Sequence, residues 1–123
     1  MNFKTTKSKI LSSVASSAWK KGVKEYALEL LEDLRNNYSG REICNAKLLK
    51  KALLNGAQDW KEYSWGGCAL IYDCQIAERL CNASELKRTK GGELRPNSRE
   101  EWLDVQARAL FQAYFLIRDC AGY

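Results

Sequence analysis

The chain contains no histidine. That removes the commonest general base and the commonest metal ligand together. The spacings of a GxSxG elbow, an HExxH helix and the protein-kinase motifs are also missing. A cysteine nucleophile would have only Asp, Glu or Lys to activate it. Two carboxylates could do glycosidase-like work, but no pair stands out. The expectation is a protein without catalytic residues, without a metal site and without a cofactor: not an enzyme.

Proline is nearly absent, with Pro96 alone, and breakers are few. No run approaches the ~20 apolar residues of a membrane helix. Lys4, Lys7 and Lys9 ahead of Ile10 and Leu11 hint at a secretory leader. Serines interrupt the apolar stretch before it reaches the ~7–15 residues such a leader needs, so that reading is set aside. No CxxC pair exists, and the cysteines, Cys44, Cys68, Cys74, Cys81 and Cys120, are odd in number. On a helix Cys74 and Cys81 would lie ~10 Å apart, too far for a disulfide or a shared metal. Free thiols and a cytoplasmic location are expected.

What remains is an apolar pattern of period near 3.6. One domain over residues 1–123 is expected, all-α, as a bundle of about five helices. A short helix is predicted over Thr5–Ser16 through Ile10, Leu11, Val14 and Ala15, with residues 1–16 a candidate peripheral or loosely docked segment. A second should run from the N-cap Ser17 to Asn36, with a stripe of Trp19, Val23, Tyr26, Ala27, Leu30, Leu31 and Leu34 and a Lys21–Glu25 pair outside. A third begins after Asn45 and a fourth spans Cys68–Cys81. The last starts at a capping box, Ser98 with Glu101, and stops near Gly122. No NG or DG turn joins two alternating apolar runs, so strands are not expected.

Some residues disagree with their helix. Asp73 and Gln106 fall inside apolar arcs and should be buried polar groups, Asp73 with at least one internal donor such as a Trp N–H, a Tyr hydroxyl, Gln106 or an Arg. Phe111 and Phe115 fall outside the arc of the last helix, one turn apart. The plainer reading is a central helix buried on all sides. The alternative is an exposed aromatic ridge for a protein partner or a homodimer. Gly66-Gly67 before a helix could bare backbone N–H groups to a phosphate, but neither phosphate-loop spacing is present and a flexible turn suffices.

The net charge of +5 and pI near 9.0 permit an acidic partner without demanding one. Basic residues gather at Lys4, Lys7, Lys9, Lys20, Lys21 and Lys24, and again at Lys87, Arg88, Lys90, Arg95 and Arg99. The second group sits in a Gly-containing loop ahead of a helix, where it could grip phosphates, although charge runs commonly only face water.

The stretches Gly22–Leu30, Asn55–Trp60, Tyr63–Gly67, Ile76–Cys81 and Arg95–Phe111 together carry a resemblance. They resemble small uncharacterised proteins carried on bacterial plasmids, phages and conjugative elements. That resemblance implies a setting in which anti-restriction and anti-CRISPR proteins are found, small and often non-enzymatic binders of host nucleases. It brings no catalytic motif. The leading expectation is a binding inhibitor of a host defence nuclease. The alternatives are a nucleic-acid-binding accessory protein of the element and a plain dimerisation module.

Overall fold

The computed structural model describes residues 1–38, 43–54, 76, 79, 80, 83 and 99–123, and their side chains except at 54, 99–104 and 107. Within these residues the backbone is helical and contains no strand.

Helix α1 spans Phe3–Ser12. Its N-cap is Asn2, whose side chain accepts from the Thr5 N–H at 3.0 Å, so the helix begins two residues earlier than its apolar residues suggest. It also ends early. Ser13 adopts an extended backbone, and its hydroxyl donates to the Ile10 carbonyl at 2.6 Å. A serine offering this local bond competes with another helical turn. Lys24, reaching across from the next helix, donates to the carbonyls of Leu11 at 2.8 Å and Ser13 at 3.0 Å. A cation at this end also complements the negative pole of the helix. Of the expected apolar stripe, Ile10 is fully buried, but Leu11 is 53% exposed and Val14, now beyond the helix, is 91% exposed.

Helix α2 spans Ala18–Asn37, with Ser17 as its N-cap accepting from the Lys20 N–H. Val23, Tyr26, Ala27, Leu30, Leu31 and Leu34 are buried as the period requires. Gly22 is buried with them for a different reason. A Cβ there would sit 2.8 Å from Leu80 Cδ2, and Leu80 has no exposed surface into which to retreat. Gly22→Leu should therefore force these segments apart. The expected net loss is about 2 kcal/mol, clash exceeding the ~1 kcal/mol gain in helix propensity. Urea unfolding curves measure it, and an unchanged midpoint would refute the close approach.

Helix α3 spans Ala46–Leu54. The Asn45 side chain accepts from the Leu48 N–H at 2.9 Å, which fixes its start. Leu49 and Leu53 are buried. Ile76, Arg79, Leu80 and Ala83 also have helical backbone, Ala83 lying beyond the Cys81 end expected for the fourth segment. Ile76 and Leu80 join the core.

Helix α4, Arg99–Ala121, packs against α1, α2 and α3 and is the centre of the bundle. Val105, Ala109, Leu110, Ala113 and Ile117 are buried along it. The small residues Ala109 and Ala113, both without exposed surface, lie one turn apart. The helix closes with paired bonds, Tyr123 N–H to the Arg118 carbonyl and Gly122 N–H to the Asp119 carbonyl. That Schellman closure puts Gly122 at φ 82°, where glycine is favoured. Beyond it the Tyr123 hydroxyl donates to the Ile43 carbonyl, which also accepts from the Met1 ammonium at 2.6 Å.

Candidate partner-binding surface

A central helix would be expected to have no free side, yet α4 has one. Phe111 is 41% exposed and Phe115 46% exposed, which corrects the reading of a helix buried all round. The reason lies in the packing: α1, α2 and α3 cover the aliphatic arc and leave the aromatic side uncovered among the described residues.

The ridge has built flanks. Tyr114 turns toward α3, its hydroxyl 3.4 Å from the Ala46 carbonyl and its ring centroid 5.2 Å from that of Phe115. A small notch of about 10 Å³ opens between the two helices, lined by Lys50, Leu53, Leu110, Phe111 and Tyr114. It could take a methyl group or one water, not a ligand. The Arg118 guanidinium lies 4.8 Å over the Phe115 ring and also pairs with Asp119 at 3.2 Å. Toward α2, the Trp19 indole N–H donates to Gln112 Oε1 at 2.6 Å, and Arg108 lies 4.8 Å from the Trp19 ring. Trp19, expected on the core stripe, is thus half-buried at the edge of this face.

Lys47, Lys50 and Lys51 are all exposed on α3, a helix without an acidic residue. The sequence reading overlooked these lysines. Their signal was present: they alternate with Leu48, Leu49, Leu53 and Leu54 in a helical period and belong to its outer side.

The other candidates fall differently. Lys87, Arg88, Lys90 and Arg95 lie outside the described residues, as do Asp73, the Ser98 cap and the Gly66-Gly67 turn. Arg99 opens α4, its side chain outside the described ones. In the N-terminal lysine cluster, Lys7 pairs with Glu32 at 3.4 Å and Lys24 caps α1. Lys4, Lys9, Lys20 and Lys21 are exposed. The expected Lys21–Glu25 pair gives way to Glu25 with Arg79, whose Nη1 donates to both carboxylate oxygens although the two residues are distant in sequence. That pair stands in an open cleft of about 440 Å³ lined by Ala18, Lys21, Gly22, Glu25, Arg79 and Ala83.

Gln106 is buried, 2% exposed, as expected. Its Oε1 finds no donor among the described residues. An unmet buried acceptor costs about 1–3 kcal/mol.

Cys44 is exposed and Cys120 half-buried, and both are free thiols; Cys68, Cys74 and Cys81 lie outside the described residues. Burial, and then the charge of Asp119, push the Cys120 thiol above its ordinary 9.0, with Lys9 acting weakly the other way. Burial, and then Cys44, push the Tyr123 phenol above its ordinary 10.0. A folded-state pKa above the unfolded value favours the protonated native form. Its stabilisation is complete below the unfolded pKa and is lost as pH rises through the folded one. Stability should therefore fall from about pH 9 upward. Urea midpoints at pH 8, 9 and 10 would show it, and a flat profile would contradict it. Cys44, open to solvent, should also alkylate ahead of Cys120.

Among the described residues no three Cys, Asp or Glu side chains gather as a metal site, and no helix is long and apolar enough to cross a membrane. No protein-family model, no curated protein and no solved structure matches the chain.

Proposed function

We propose that this protein is a non-enzymatic binding protein that engages a protein partner through Phe111 and Phe115 on α4. The observation carrying the proposal is the half-exposed aromatic pair on a helix whose other sides are packed. Large rigid side chains of this kind are enriched at interface cores, where they bury much area at small entropic cost. Neighbours hold the ridge in place: Tyr114 is tied to α3, and Arg118 lies on Phe115. A preorganised anchor loses less freedom on binding.

The partner class follows from the resemblance to proteins of bacterial mobile elements. It is a host defence nuclease, restricted or silenced by direct binding. The test is a cleavage assay with purified defence nucleases and their DNA substrates. The wild-type protein should slow cleavage by at least one of them, and the Phe111→Ala/Phe115→Ala variant should not. Equal inhibition by both forms would remove the ridge from the mechanism. Absence of inhibition across the nucleases would remove the nuclease reading.

A further inference from the structure

Among the described side chains the charges around the ridge are mostly positive. Among the described side chains of α3 and α4, Lys47, Lys50, Lys51, Arg108 and Arg118 are cations, while Asp119 is the sole acid and is already paired with Arg118. Lys50 lines the notch beside Phe111. Lys47 stands one turn before it on α3. The apolar centre therefore has a basic border on the α3 side.

Building on the proposed protein-binding role of Phe111 and Phe115, we infer that the face shared by α3 and α4 receives an acidic amphipathic helix of the partner. Apolar residues of that helix cover Phe111 and Phe115, and one aliphatic tip enters the notch. Its carboxylates meet Lys47, Lys50 and Lys51. Charge complementarity of this kind sets orientation and speeds encounter, and like charges are turned away. A helix laid in a groove presents its anchors at i, i+3 or i+4, and i+7, a spacing that suits two aromatic residues one turn apart.

Single-stranded nucleic acid is the competing occupant, since it too combines anions with flat apolar groups. The geometry argues against it. Bases stack on open ring faces, and the Arg118 guanidinium lies over one face of Phe115. The basic border has a second consequence. A nuclease binds DNA in a groove lined with positive charge. This face would be repelled there, so it docks on an acidic surface away from that groove and not as an imitation of DNA.

A phage-displayed library of helical peptides, randomised for both charge and apolar spacing, tests this. The intact protein, Phe111→Ala/Phe115→Ala and Lys47→Glu/Lys50→Glu/Lys51→Glu are panned in parallel. The three lysines are exposed and take part in no ion pair among the described residues, and circular dichroism verifies that each variant folds. The wild type should enrich acidic peptides with helical apolar spacing, by tenfold or more over the bare support. The Phe variant should lose them, and the lysine variant should switch to basic or neutral peptides. Peptides of no consistent charge that still vanish with the Phe variant would overturn the acidic-helix inference and leave the ridge as a binding surface. The same peptides on the wild type and the Phe variant would overturn both. No enrichment, together with binding of a labelled oligo(dT) that the Phe variant loses, would overturn the inference in favour of nucleic acid. No enrichment, with a dimer in sedimentation that the Phe variant abolishes, would do so in favour of a second copy of this chain.

Discussion

Ile10→Ala should lower the stability of the protein by about 3–4 kcal/mol, within the range measured for buried Ile or Leu truncations. Ile10 is the only fully buried aliphatic residue among the described side chains of α1, and that helix packs on both α2 and α4. Removing three carbons forfeits their transfer free energy and leaves a cavity. The surrounding core, with Ala109, Ala113 and Ile117 also at no exposure, has little room to collapse into it. For a chain of this length the midpoint of thermal unfolding should fall by roughly 10 °C or more. Leu11→Ala is the matched control: one residue on, the same change in size, but at a half-exposed position. It should stay within about 0.5–1 kcal/mol. If the two variants unfold alike, α1 is a loosely held appendage, and its docking contributes little to the fold.

The largest expected effect on binding is that of Phe111→Ala/Phe115→Ala. Central aromatic anchors commonly cost 2 kcal/mol or more each when truncated, so the pair should weaken the partner complex by about three orders of magnitude. Folding should hardly change. Both rings are already partly in water, and what the fold loses is the Arg118 contact, the Tyr114–Phe115 contact and the wall that Phe111 gives the notch. Such exposed contacts contribute about 0.5–1 kcal/mol each. Titration calorimetry with the proposed nuclease partner and a thermal melt of the free variant separate the two effects. A variant that binds normally excludes the ridge from the interface. One that no longer folds shows that the phenylalanines belong to the core.

Sequence periodicity reached the fold more readily than the surface. Ser17 and Asn45 start α2 and α3 with their side chains on the expected N–H groups, and Gly122 closes α4, because these are local bonds between residues three to five apart. The α2 stripe was legible for the same reason. The first helix was misjudged at both ends. Its N-cap is Asn2, an available signal that was passed over, and its C-terminus is met by Lys24 from another helix. The exchange of Lys21 for Arg79 as the partner of Glu25 likewise depends on an approach that Gly22 makes possible. At Phe111 and Phe115 a helical wheel gives an angle but not what lies opposite. Whether that angle meets protein or water is decided by where the other helices go.

The order of the helices matters during synthesis. The bundle's central helix is the last of the described elements to be made. When α1, α2 and α3 have left the ribosome, Ile10, Leu30, Leu34 and Leu49 have no α4 to pack against. About 65 more residues separate the end of α3 from the end of α4. At ordinary elongation rates that is an interval of about 3 to 13 seconds. Through it the nascent chain exposes the apolar surfaces that α4 will later cover, a window in which a chaperone that shields apolar segments would find its natural substrate.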